Sequence, residues 1–105
     1  MLIGKVVGTV VATRKDEKLQ GMKFLLLRQV DVDGQEKEAY VVAVDAVGAG
    51  VGEYVLYATG SSARQTVLTD KRPCDAVIMA IIDEWDVGGE VRYQKVAEFQ
   101  PAEGW

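Results

Sequence analysis

The sequence contains no histidine, one cysteine and two prolines in 105 residues. Lacking histidine, it has neither the commonest general base nor the commonest metal ligand. With Cys74 as the lone thiol, no disulfide can form within the chain, and one thiol cannot complete the usual zinc shell. Neither a metal nor any other cofactor is expected. Apolar runs are short: none approaches the roughly twenty residues that a membrane helix needs, so no membrane partner is expected. The N-terminus "MLIGKVVGTVVATRK" is apolar early, but Lys5 interrupts it and no small-residue cleavage site follows a long apolar core. Together with the single cysteine, this points to a reducing cytoplasm. Lysine and arginine number 12 against 16 acidic residues, a net charge of −4, which argues against a general nucleic-acid binder.

What is present is strand-like. Hydrophobic residues make up 49% of the chain and charged ones 27%, the balance of an ordinary globular domain. Residues 2–14 alternate, with Gly4, Val6, Gly8, Val10 and Ala12 on one face and Lys5, Thr9 and Thr13 on the other. Two glycines on the inward face predict a bend or a close backbone approach. After a charged loop over 15–21, residues 22–33 read as a second strand and Asp33-Gly34 as a hairpin turn. Residues 36–47, 53–59 and 75–83 read as the third, fourth and fifth strands, and "EVRYQK" (90–95) as a short terminal one. One short helix fits between strands 4 and 5, where Ser62 and Gln65 have capping-box spacing and Pro73 closes the segment. The fold class is therefore all-β: a small closed five-stranded OB-like barrel with one short helix between strands 4 and 5. The barrel domain is expected over 1–99, with 100–105 as a C-terminal tail.

"FLLL" (24–27), "YVVAV" (40–44) and "VIMAII" (77–82) are apolar on both faces. A barrel buries only its inner side chains, so these strands predict apolar flanks that a second copy must cover. A domain this small also gains from association.

Chemical readings are weak. "GAGVG" (48–52) lacks the spacing of G-x-G-x-x-G, and the strand-like "EYVLYA" follows it where a phosphate loop needs a helix N-terminus. Gly48, Gly50 and Gly52 are read as a structural turn between strands. Ser61 and Ser62 would need a base to act as nucleophiles; histidine is absent, and a Ser–Lys pair with Lys71 is conceivable but has no support from the spacing. Asp83 and Glu84 point to opposite faces of an extended strand and form no acid–base couple; with Asp86 they read as its polar end. Cys74 is read as incidental, Trp85 as core or rim packing, and Trp105 as part of the tail. No catalytic residue is assigned. OB-like barrels also bind single-stranded nucleic acid on aromatics, and Tyr40, Tyr54, Tyr57 and Tyr93 are available, but no basic groove accompanies them.

Four blocks carry a resemblance across nearly the whole chain: "GKVVGTVVATRK" (4–15), "LQGMKFLLLRQVD" (19–31), "AVDAVGAGVGEYVLYATGSSAR" (43–64) and "PCDAVIMAIID" (73–83). The sequence resembles the EutN/CcmL family of microcompartment vertex proteins, the block ending in Gly-Ser-Ser-Ala-Arg being the most specific. Cys74 stands where the family usually carries an aliphatic residue. The resemblance implies a structural protein rather than an enzyme, a cyclic homopentamer at the five-fold corners of a cytoplasmic microcompartment shell, with hexameric shell proteins as partners. It further implies that Gly60, Ser61 and Ser62 lie near subunit contacts or the central axis, with Ser62 capping the helix and Arg64 bonding across or within the interface.

Overall fold

The computed structural model describes residues 1–13, 15–66 and 75–95. Lys71, Pro73, Cys74 and Trp105, and with them the boundary expected at residue 99, lie outside the described residues.

Five strands close a barrel: β1 (Leu2–Val10), β2 (Phe24–Val30), β3 (Glu36–Asp45), β4 (Tyr54–Thr59) and β5 (Ala76–Ile81). Their order around it is β1-β2-β3-β5-β4, with β4 returning to β1. All neighbours are antiparallel except β3 and β5, which run parallel and pair only at Val44–Val77 and Asp45–Ile78. Each barrel strand is at least one residue shorter than the range expected from sequence, with β1 losing four residues at its end and β4 one at its start.

The bend expected of β1 is present. Its register with β2 slips between Val6 and Gly8, so Val7 is an extra residue that coils the strand, as a bulge does, and turns Gly8 outward beside Leu26, off the inward face expected for it with Gly4 and Val6. At the same time Gly4 lets Tyr57 fold across the barrel interior: a Cβ at Gly4 would sit 2.8 Å from Tyr57 Cε1. The β2–β3 hairpin turns through Asp33-Gly34 as read from sequence. Gly34 adopts φ 88°, and Asp31 Oδ1 accepts hydrogen bonds from the Asp33 and Gln35 amides, both at 2.9 Å.

Alternation sorts the apolar residues onto two sides of the sheet. Val6, Leu25, Leu27, Val55, Tyr57 and Ile78 fill the barrel. Val44, Ala58 and Val77 point the other way and are buried with Met22 beneath Ala63. Ala63 belongs to a short 3-10 helix, Gly60–Arg64, which follows β4 and lies on the barrel's outer surface. A second 3-10 turn spans Glu17–Leu19, capped by Asp16, whose side chain accepts from the Lys18 amide at 2.8 Å.

The helix after β4 is present, but the capping box is not. Thr59 occupies the N-cap and makes no side-chain capping bond. Ser62 is inside the helix, where its carbonyl accepts the Gln65 amide at 3.3 Å. The i→i+3 bonding of a 3-10 turn starts two residues before the serine that the box required.

The acidic group after β5 is also corrected. Asp83 lies beyond the end of β5, and Glu84 opens a new strand, β6 (Glu84–Val87), which pairs with β7 (Glu90–Gln94). Gly88 (φ 62°) and Gly89 (φ 89°) make the two-residue turn with positive φ that such a hairpin needs. The hairpin is fixed to the barrel by aromatic packing: Tyr54 lies 4.4 Å from Tyr93 and 5.7 Å from Trp85, centroid to centroid. Trp85 Nε1 donates to the Val32 carbonyl at 2.7 Å, and Arg92 bonds Asp33 at 3.0 Å.

Candidate functional site

The glycine loop between β3 and β4 turns four successive backbone amides onto carboxylate oxygens. Asp45 closes β3 with its side chain turned into the loop. Its Oδ1 accepts from the amides of Val47 (3.0 Å), Gly48 (3.0 Å) and Ala49 (3.2 Å), and Lys23 lies 3.6 Å from Oδ2. One residue further, the Gly50 amide donates to Glu53 Oε1 at 2.6 Å. Lys95, from the foot of the hairpin, bonds Glu53 Oε2. The Lys95 bond first, and the Gly50 amide second, hold the Glu53 carboxyl below its ordinary pKa.

The loop is thus an anion cradle whose anions are its own carboxylates. Four successive amides, those of Val47, Gly48, Ala49 and Gly50, are already spoken for, so the run of donors that a phosphate would need is taken. Gly48 (φ 80°) and Gly52 (φ 94°) supply the backbone conformations that the turn requires. Nothing lies within 4 Å of a Cβ placed on either, so these two glycines serve the turn, and the close approach expected of the β1 glycines is found at Gly4. Gly50 keeps an ordinary φ beside Glu53.

The Gly-Ser-Ser-Ala-Arg block forms the 3-10 helix. Gly60 takes φ 64° and its amide donates to the Asp75 carbonyl at 2.9 Å, tying the helix start to β5. Ala63 is fully buried and pins the turn. Ser61 and Ser62 are exposed, and Arg64 is half-buried in the last turn. The helix therefore presents two small hydroxyls to the outside.

The tyrosines separate. Tyr57 is inside the barrel, where burial raises its pKa. Tyr54 and Tyr93 are consumed in docking the hairpin. Tyr40 alone is widely exposed, with the Arg28 guanidinium 5.3 Å from its ring centre. A stacking platform for single-stranded nucleic acid needs a row of free rings over a basic track, and this arrangement does not supply it. Among the described residues no three His, Cys, Asp or Glu side chains are grouped to hold a metal ion. No helix there is long and apolar enough to cross a membrane.

What the outer surface does offer is two apolar rows. On β2 and β3, Leu26 pairs with Val42, and Gly8 of β1 continues the row on the other side of Leu26; Tyr40 and Arg28 lie next along it. Val42 is 46% and Tyr40 54% exposed. On the other flank, Ile3 of β1, Leu56 of β4 and Ala80 of β5 form a cross-strand row, each half-buried. The strand order puts these rows on different sides of the barrel. Sequence reasoning anticipated the surplus of apolar surface, but its division into two separate flanks follows from the register.

A family model described as ethanolamine utilisation protein EutN/carboxysome matches residues 1–83. The chain belongs to the EutN/CcmL family. Over 100 residues it is 46% identical to the carboxysome shell vertex protein CcmL of Gloeobacter violaceus, covering 95% of this chain and all of that one. The solved structure of the Gloeobacter protein superposes with a TM-score of 0.87, covering 90% of this chain and 98% of the other. The microcompartment shell vertex protein EutN of Salmonella typhimurium is 37% identical over 95 residues, 90% of this chain and 96% of its own. GrpN of Rhodospirillum rubrum, a pentameric microcompartment shell protein, is 40% identical with a TM-score of 0.75, over 83% of this chain and all of that one. The EutN/CcmL model stops at Asp83, one residue before β6, so the barrel is the part that it describes.

Proposed function

We propose that five copies of this chain close into a ring that fills a five-fold corner of a bacterial microcompartment shell, within the cytoplasm, among hexameric shell proteins. The reading rests on the match to vertex proteins along nearly the whole chain. Physically, one observation supports it: each subunit carries two different apolar rows on different flanks. A ring is built by heterologous contacts, in which one patch meets a different patch on the next copy and the rotation closes. Leu26–Val42 against Ile3–Leu56–Ala80 is such a pair of patches.

In this reading the protein is a structural element and catalyses nothing. Its product is an angle. A sheet tiled only by hexagonal units stays flat, and a pentagonal unit at each corner supplies the curvature that closes it. The exposed face of the 3-10 helix at Gly60, Ser61 and Ser62 lies at a subunit contact or near the ring axis, and Arg64 contributes a bond at that contact. Shells assembled in cells lacking this chain test the role: by electron microscopy they are elongated or unclosed, and polyhedral closure without it contradicts the assignment.

A further inference from the structure

The end of the barrel where β1 meets β2 carries a groove of about 370 Å3 lined by Val10, Val11, Met22 and Phe24, with Lys15 and Lys23 on its rim. It lies beyond the last β1–β2 pair, Val10–Phe24, and so past the end of the apolar row at Leu26–Val42. Val11 is 85% exposed, an apolar side chain left open by the described residues. Around it the chain is locally basic: residues 9–24 carry Arg14, Lys15, Lys18 and Lys23 against Asp16 and Glu17, in a protein of net charge −4.

We propose that this groove is a peptide-binding site and that its occupant is the C-terminal segment of the same subunit, residues 96–105. The segment reads "VAEFQPAEGW": two aromatic residues, Phe99 and Trp105, two acids, Glu98 and Glu103, and no basic residue. It is complementary to an apolar trough rimmed by lysines. Its reach suffices. Lys95 is fixed where its amide donates to the Asp83 carbonyl and its side chain bonds Glu53, and the Glu53 carbonyl accepts the Val6 amide. From Val6 to Val11 is five strand residues, about 17 Å; ten residues span up to about 33 Å. Tethering raises the local concentration of the segment to the millimolar range, so a contact too weak to hold a free peptide is occupied within the chain.

Hydroxyl-radical footprinting of the full-length protein tests this. Val11 and Phe24 are expected to react several-fold faster in Phe99→Ser/Trp105→Ser than in the wild type, while Val51, exposed in the glycine loop, stays constant. Lys15→Glu, which leaves the Lys23–Asp45 pair of the glycine loop intact, should unmask the same two residues. Equal reactivity of Val11 and Phe24 in all three proteins overturns the proposal. In a Cys74→Ser background, Val11→Cys with Trp105→Cys should form an intramolecular disulfide; a bond between subunits overturns the assignment to the same chain. Native mass recorded on each variant reports the ring separately, so loss of the oligomer is not mistaken for loss of the docked segment.

Discussion

A Cβ on Gly4 would lie 2.8 Å from Cε1 of Tyr57, a separation that real contacts do not reach. Gly4 and Tyr57 are both buried, on β1 and β4, and the missing side chain of one is the space occupied by the ring of the other. Gly4→Ala should therefore destabilise the subunit by about 1–3 kcal/mol, the usual cost of overpacking a filled core. For a chain of this size that lowers the melting temperature by at least about 5 °C. Adding Tyr57→Leu should recover part of the loss; a Gly4→Ala protein that melts like the wild type refutes the packing.

Asp45 is the second fixed point. Its carboxylate satisfies three consecutive amides at the end of β3. Asp45→Ala orphans them and leaves Lys23 without its carboxylate, at a cost of about 2–3 kcal/mol. Asp45→Asn keeps one acceptor oxygen and should cost visibly less. Urea unfolding of the two variants separates these outcomes, and equal losses would mean that the acceptor oxygen is not what holds the loop.

The bond between Glu53 and Lys95 predicts an acid dependence. Glu53 titrates below its ordinary value of 4.5 in the folded protein. The stability that it contributes is present above that unfolded value and is lost as pH falls through the lower folded one. Wild-type stability should fall more steeply than that of Glu53→Gln on acidification from about pH 5. Because Lys95 sits at the foot of β7, amide exchange in 84–95 should rise first. Parallel pH profiles for the two proteins would contradict the pair's role.

Arg64 carries the prediction closest to assembly. If it bonds at the subunit contact, Arg64→Ala removes a charge-assisted hydrogen bond worth about 1.5–3 kcal/mol. The concentration at which half the ring dissociates should rise by about tenfold or more, while the folded subunit keeps its circular dichroism. An unchanged dissociation midpoint removes Arg64 from the interface.

Much of this structure was legible in advance, for identifiable reasons. The five barrel strands carry period-two or continuous apolar runs bounded by glycine and charge, and Asp33-Gly34 marked its hairpin. The terminal hairpin was half seen. "EVRYQK" gave β7, but β6 (Glu84–Val87) is mostly polar and pairs through a turn that Gly88-Gly89 could have announced. Ser62 misled because a capping box presumes an α-helix, and a 3-10 turn moves the cap to Thr59. The internal anchoring of the glycine loop escaped notice because nothing in the spacing shows that Asp45 and Glu53 turn back onto the amides between them. Nor does sequence alone reveal that the outward apolar residues fall into two rows; the register of β1 with β4 does that.

The central claim is that two apolar flanks close this chain into a ring of five. Native mass spectrometry of the purified protein at micromolar concentration tests it most directly, together with Val42→Glu, which places a charge in one flank. The account predicts a wild-type species of five times the 11.4 kDa subunit mass and a folded monomer for the variant. A wild-type protein that is a stable folded monomer or dimer would contradict it.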